Sequence, residues 1–584
     1  MDDEVPIAGK TDNATFPWLA FYPPGVPARI ETPPYDLLSE IAPDLAARRP
    51  AARAFTTIMP NGMAASLTFA EVDRFSDAFA AYLRETLGLE PGARVAIQIP
   101  NGLAYPVATF GIFKAGCVLV NVNPLYTVPE MAHVFADAEP SAIVAIDMFA
   151  DKLAAAMEQV PVPHVSLTEA ASLFPSASRR LIGFVQKYVK KQVPYPRFGH
   201  TAFAKALALG AASIGTGANV KGYTSQMEPS AVACLQYTGG TTGVSKGAML
   251  THRNLIMNVA QFVEFRGDDM RESDHVLTAL PLYHIFAFTV NLLCCFMRSA
   301  HNILIPSPRP LTNLRKAFET QAITFITGVN TLFNGLLNEP WFCENPPRSL
   351  RISFAGGMAL QEPVAMRWRK TTGTDVAEGY GLTEASPVLT LNPAGRGKPG
   401  SIGVPLPSTE MKCVDDQGNE TAIGEPGEII ARGPQVMQGY WKQPEETKQV
   451  LRDGWLFTGD IGTMDAEGYF TIVDRRKDMI VVSGFNVYPN EVEAVLAGLA
   501  GVKECAVIGV PDGASGEAVK AFVVRGDPAL DAATVRDFCR RELTNYKVPK
   551  LVEFRDDLPK SNVGKILRKE LRQKPPANAS ESKV

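Results

Sequence analysis

Tyr237-Thr238-Gly239-Gly240-Thr241-Thr242-Gly243-Val244-Ser245-Lys246-Gly247 follows an apolar stretch and packs four glycines, three threonine hydroxyls and a lysine into one short segment. Gly239, Gly240 and Gly243 let the backbone turn its N–H groups toward an anion without Cβ interference. Thr238, Thr241, Thr242 and Ser245 add hydroxyl donors, and Lys246 adds a positive charge. The segment reads as a phosphate-holding loop rather than a flexible surface loop. It is not a Walker A loop, which needs four residues between its glycines and a Ser or Thr after the lysine, because Lys246 stands between Ser245 and Gly247.

Working outward, the chain continues with Pro281-Leu282-Tyr283-His284, Ala355-Gly356-Gly357-Met358, Gly379-Tyr380-Gly381-Leu382-Thr383-Glu384, Trp455-Leu456-Phe457-Thr458-Gly459-Asp460, Asp474-Arg475-Arg476-Lys477-Asp478 and Pro559-Lys560-Ser561-Asn562-Val563-Gly564-Lys565. This ordered set resembles the adenylate-forming superfamily of acyl-CoA synthetases, luciferase and peptide-synthetase adenylation domains. The wording is most similar to bacterial long-chain fatty-acid–CoA ligases, over residues 35–572. Two positions depart from the commonest wording: Gly239 stands where Ser is usual and Ser245 where Pro is usual. The first removes a hydroxyl and keeps a backbone donor.

The resemblance implies a division of labour. The loop 237–247 wraps the β- and γ-phosphates of ATP, Thr383 meets the α-phosphate, and Glu384 holds Mg²⁺. Gly356 and Gly357 offer bare backbone to adenine, Tyr380 covers its other face beside Gly381, and Asp460 and Arg475 contact the ribose. Lys565 pairs with the substrate carboxylate and the α-phosphate as acyl-AMP forms. Gly484 lets the pantetheine of CoA pass in the second step, and Lys477 is the pivot between the steps. His284 lies near the carboxylate, with base, gate and packing roles all open. Phe286, Phe288, Gly328, Val329, Thr331, Leu332 and Phe333 lie beside motif positions and are candidate acyl-tunnel lining or plain core.

Length and composition agree with an enzyme of several parts. At 584 residues, 46% hydrophobic and 20% charged, the chain calls for two or more globular domains. The formal charge of −4 gives no global attraction to nucleic acid, and none is expected as a partner. Eight cysteines without a Cys-x-x-Cys pair read as thiols in a reducing compartment. The acidic start Met1-Asp2-Asp3-Glu4 is unlike a signal peptide, so a cytoplasmic protein is expected. Val276–Met297 lacks formal charge and is long enough to span a bilayer, yet Pro281, His284 and Asn291 interrupt it, which favours strand, loop and buried helix.

Apolar β-branched runs such as Val95–Ile99, Ala142–Ile146 and Ile323–Ile326 alternate with helical stretches such as Phe69–Leu87, which predicts an α/β fold with parallel and mixed sheets. After Asp474 the pattern restarts on a smaller scale. The expected organisation is a large N-terminal domain over 1–474, a hinge at 475–477, a small mobile α+β domain over 478–572 and a frayed tail over 573–584. Residues 177–197 carry Arg179, Arg180, Lys187, Lys190, Lys191 and Arg197 around Leu181, Phe184, Val185 and Tyr188, the spacing of one helix face. That face suits either packing on its own domain or contact with the inner face of the cell membrane.

The expected function is long-chain fatty-acid–CoA ligation with ATP, CoA and Mg²⁺, with a homodimer as a further option. The rival readings are a fatty-acyl-AMP ligase without the CoA step and a non-catalytic fatty-acid-binding protein of the membrane surface. A peptide-synthetase module is disfavoured because only residues 566–584 follow Lys565.

Overall fold

The computed structural model describes residues 16–238, 245–483, 485–513, 515–561 and 564–572. Two large sheets dominate its first four-fifths. One has nine strands, with Val376–Gly381, Ile352–Ala355, Phe325–Gly328, His275–Thr278, His301–Leu304 and Arg53–Ile58 parallel in that order and antiparallel strands at both edges. The other has eight strands. Its centre is the parallel run Val232–Tyr237, Val118–Asn121, Arg94–Gln98, Ala142–Ile146 and His164–Thr168, and Gly247–Thr251 turns back antiparallel on Val232–Tyr237. Strands Val118–Asn121, Ala142–Ile146, Phe325–Gly328 and Ile352–Ala355 are buried at every position. This is why their sequences run apolar without alternation: helices cover both faces.

The helix Phe69–Ala81 shows how local signals set the boundaries. Thr68 Oγ1 accepts from Glu71 N at 3.2 Å while Glu71 Oε2 accepts from Thr68 N at 2.8 Å, a reciprocal cap of two free amides. The expected helix to Leu87 continues only as a widened π turn, Tyr82–Thr86. Val276–Met297 resolves into the strand His275–Thr278, a turn, the π-helical Ala287–Cys294 and the short helix Cys295–Met297, and no helix among the described residues is long and apolar enough to cross a membrane. All eight cysteines are free thiols, seven of them buried.

A third sheet joins Glu410–Val414, Gly427–Arg432, Trp455–Met464 and Phe470–Arg475, and its Met411, Ile429, Leu456 and Phe470 share the core of the large sheets. Beyond Arg475 the core changes. The strands Ile480–Val482, Phe485–Val487, Val502–Asp512, Gly516–Arg525 and Leu551–Arg555 form a separate sheet. With the helices Pro489–Ala497 and Ala532–Glu542 it encloses its own apolar clusters. The expected tail, 573–584, lies outside the described residues.

The basic segment departs from the single helix expected over 177–197. Ser176–Phe184 is α-helical and Val185–Val189 is a π turn, after which Lys191 takes a left-handed conformation (φ 51°) and the chain runs irregularly to a strand at Thr201. Pro194 and Pro196 supply the physical reason the helix cannot continue.

Candidate active site

The phosphate-loop sequence spans the turn between two paired strands. Tyr237 is in register with Gly247, Thr238 N donates to Lys246 O at 2.9 Å, and Ser245 Oγ donates to Thr238 O at 2.5 Å. Thr238 and Lys246 are therefore placed at the two mouths of the loop. Gly239, Gly240, Thr241, Thr242 and Gly243 lie outside the described residues, as does Gly484.

The helix Val128–Ala138 holds both flanks. His133 Nε2 donates to Ser245 O at 2.8 Å, and one turn later Asp137 Oδ2 accepts from Tyr237 OH at 2.6 Å. Neither residue was singled out from the sequence, where a lone His and a lone Asp on an amphipathic helix carry no signal.

On the far side of the loop, Lys246 pairs with Glu446 and lies 5.2 Å from the ring centroid of Tyr440. Tyr440 OH donates to Glu384 Oε1 at 2.7 Å. The two-residue strand Gly439–Tyr440 extends the eight-stranded sheet beside Gly247–Thr251, and this added edge brings Tyr440 between Lys246 and Glu384. Tyr440 and Glu446 were also missed in the sequence. Glu384 lies in the short 3-10 turn Thr383–Ala385 that follows strand Val376–Gly381, and its backbone carbonyl accepts from Met437 N at 2.8 Å.

That strand also carries Tyr380, whose OH donates to Asp460 Oδ2 at 2.6 Å. Asp460 and Arg475 face each other across an antiparallel ladder, with Arg475 Nε 3.4 Å from Asp460 Oδ1. Gly381 is fixed by space, since a Cβ there would stand 1.8 Å from Pro387 O. The Gly-Gly pair after strand Ile352–Ala355 divides: a Cβ on Gly356 would meet the Phe286 ring at 3.3 Å, whereas Gly357 (φ +78°) faces open space. Glu378 was not anticipated. Its Oε2 accepts from Leu360 N at 3.1 Å, and burial pushes its carboxyl up to about 7.

From the other side comes Lys565. Its loop is closed by Ser561 N donating to Lys565 O at 2.7 Å and by Lys565 N donating to Ser561 Oγ at 3.1 Å. It docks on the large domain where Thr331 Oγ1 donates to Gly564 O at 3.1 Å. Only glycine fits there, at φ +84° with a Cβ position 2.5 Å from Thr331 Oγ1. Lys565 is half-buried. Burial first, and then the Arg475 charge, pull it down to about 7, while Asp460 opposes the shift and Arg568 and Lys477 add to it. His284, beyond a turn closed by His284 N donating to Pro281 O at 3.0 Å, is pushed down to about 4 by burial and then by the Lys565 charge. It is a neutral imidazole at neutral pH. Its Nδ1 accepts a long 3.4 Å contact from Phe286 N, which leaves Nε2 carrying the hydrogen.

Asp474, fully buried before Arg475, ties the Lys565 loop to the start of the small domain. Its Oδ2 accepts from Asn490 N at 2.8 Å and its Oδ1 lies 3.5 Å from Arg568 Nη1. Arg568 in turn donates to Glu493 at 2.8 Å and to Asn490 Oδ1 at 2.7 Å.

His284, Tyr380, Asp460, Arg475, Lys477 and Lys565 thus converge on one cleft, and Glu384 follows Tyr380 toward the phosphate loop. The acyl-lining candidates lie in two settings. Phe288 and Phe333 are fully buried core, the latter 4.7 Å from the Trp368 ring, and Val329 and Thr331 support the Gly564 turn.

Residues 43–441 match the family described as AMP-binding enzyme, and residues 491–565 match the AMP-binding enzyme C-terminal domain. A long-chain-fatty-acid–CoA ligase of Escherichia coli O157:H7 is 49% identical over 558 residues, covering 95% of this chain and 97% of that one. Among solved structures, an anthranilate CoA ligase in complex with anthranoyl-AMP superposes with a TM-score of 0.81 at 26% identity, covering 93% of this chain and 98% of that one. ATP-bound MatB from Rhodopseudomonas palustris superposes with a TM-score of 0.78 at 30% identity, covering 92% and 98%.

Proposed function

The chain belongs to the AMP-binding enzyme family, and from that premise we propose that it is a long-chain fatty-acid–CoA ligase. It joins a fatty acid to ATP as acyl-AMP with loss of pyrophosphate, then passes the acyl group to CoA with loss of AMP. The observation that carries the first step is the seating of Lys565, from the small domain, opposite Asp460 and His284 of the large one.

In the first half-reaction Asp460 and Arg475 take the ribose, Tyr380 and the open backbone at Gly357 flank adenine, and Thr383 meets the α-phosphate. Lys565 draws the fatty-acid carboxylate and the α-phosphate together and favours the charge that grows as they join. His284, neutral, orients the carboxylate and holds water away. Thr238 and Lys246 receive the outer phosphates, with His133 and Asp137 fixing the loop's flanks.

Glu384 suits a hard cation: one carboxylate oxygen is engaged by a neutral phenol and, among the described residues, the other has no hydrogen-bond partner and no group of three His, Cys, Asp or Glu forms a metal cage. Mg²⁺ held there would take its remaining ligands from phosphate and water, and would supply neutralisation of the departing pyrophosphate.

For the second half-reaction the small domain, 478–572, turns about 475–477. Lys565 leaves and a different face admits the thiol of CoA. The enzyme is expected in the cytoplasm, drawing its poorly soluble substrate from a membrane surface through the 177–197 segment, and a homodimer is compatible with this reading.

The deciding assay is AMP release over fatty acids of graded length, with and without CoA. A kcat/KM that rises toward long chains, with CoA-dependent thioester, is the expected outcome, since each buried methylene adds about 0.8 kcal/mol. A peak at acetate or hexanoate overturns the long-chain assignment, and acyl-AMP accumulating with no use of CoA turns the reading to a fatty-acyl-AMP ligase.

A further inference from the structure

From Ala170 to Met227 the chain has no Asp or Glu at all, yet it carries the six cations of the 177–197 segment together with Lys205 and Lys221, in a protein whose formal charge is −4. Lys187, Lys190, Lys191 and Arg197 are exposed, and none of the six forms a salt bridge among the described residues.

The same stretch concentrates the bare apolar surface. Twelve large hydrophobic side chains are exposed among the described residues, and seven of them fall between Leu181 and Ile214. Leu181, Phe184 and Tyr188 are 55, 57 and 61% exposed and form one stripe along the helix Ser176–Phe184 and its π turn, while Ile182 on the opposite side is buried and anchors the helix. The Phe184 and Tyr188 rings meet at a tilt of 41° with centroids 5.3 Å apart, and Lys187 lies 5.7 Å from the Tyr188 ring centroid. Tyr195, past the helix, is 83% exposed. The next helix, Phe203–Gly215, is pinned by Gly210, where a Cβ would stand 1.7 Å from Ala78 O, and it leaves Leu209 and Ile214 outward.

Cations alone would suit any polyanion, and apolar side chains alone would suit a protein groove. Interleaved aromatics, aliphatics and lysines on a shallow helix match a surface with phosphate outside and hydrocarbon a few ångströms below. We propose that this face docks on an anionic phospholipid bilayer. Lys187, Lys190, Lys191 and Arg197 lie among the headgroup phosphates, and Leu181, Phe184, Tyr188 and Tyr195 enter the boundary with the acyl chains. The assignment deepens the membrane contact named above and does not depend on the ligase chemistry, because it is read from binding alone.

The test is flotation of the full chain with vesicles of pure phosphatidylcholine and vesicles containing phosphatidylglycerol, at low and high salt. Binding to the anionic vesicles that weakens with salt is expected, with little binding to phosphatidylcholine. K190Q/K191Q should weaken it about 10- to 30-fold, since each cation near such a surface contributes about a factor of five. L181S/F184S should abolish it at high salt while leaving the circular dichroism spectrum and melting temperature unchanged, because both side chains are already exposed. Equal binding to both vesicle types, or full binding by both variants, overturns the proposal. So does a short DNA duplex that binds as tightly as the anionic vesicles and competes with them.

Discussion

Lys246 and Lys565 approach the proposed nucleotide from opposite domains, and their surroundings are opposite too. Lys246 rests against Glu446 and the face of Tyr440, half-exposed, with its charge already answered. Lys565 is crowded by Arg475, Arg568 and Lys477, with Asp460 as the opposing charge, and burial brings it down to about 7. Lys246 is therefore a cation that must exchange one anionic partner for another. Lys565 is a cation made complete only by the anions of its substrates, so its interaction energy is available where charge develops rather than being spent beforehand.

The largest effect that separates the two should come from Lys565→Ala. Pyrophosphate exchange should fall by about 10²–10³-fold or more, as when a preorganised oxyanion donor is removed, while conversion of supplied acyl-AMP and CoA to thioester stays within a few-fold. Equal damage to both half-reactions would erase the distinction. Next in size, Glu384→Ala should lower pyrophosphate exchange by about 10²-fold and flatten its dependence on added Mg²⁺; parental rates would remove the metal role.

The pH dependence sharpens the comparison. The lysine acts as a cation, so the free enzyme should lose activity as pH rises through about 7, with kcat/KM for the fatty acid falling about tenfold per unit above it. Saturating ATP should move that limb upward by about one unit, because phosphate favours the ammonium. A flat profile from pH 6 to 9 would show that the crowding does not govern Lys565. The smallest effect should be Glu446→Gln. It frees Lys246 from a half-exposed pair, so the KM for ATP should drop by less than about fivefold with kcat unchanged. A rise in KM would mean that Glu446 orients Lys246 rather than holding it in reserve.

Much of this cleft was legible in the chain because its parts are contiguous. Gly379–Glu384 puts Tyr380 and Glu384 on one strand and its following turn, and the motifs ending in Asp460 and beginning at Asp474 become the two sides of one ladder. The supports were not legible. Glu446 is 200 residues from Lys246, and Asp137 is 100 from Tyr237, so no local pattern joins them. Position beside a motif does not by itself fix a side chain's surroundings: Phe333, in the helix Asn330–Leu336, is fully buried against Trp368.

The buried carboxylate of Asp474 has a consequence for the order in which substrates can arrive. Two of its contacts, Asn490 N and Arg568, belong to the small domain, so turning that domain leaves Oδ2 of a buried carboxylate without its partner, while Oδ1 keeps the Arg475 N–H at 2.7 Å. An unmet buried polar group costs about 1–3 kcal/mol. A penalty of that size keeps the turned conformer a minority, at about 0.6–16% of the resting population. Free enzyme is then biased to receive ATP and fatty acid first, and a CoA molecule meeting it early finds its path open only in that minor fraction. Initial-rate patterns with CoA varied against ATP should report an ordered rather than a random scheme, and Asp474→Asn should loosen that order.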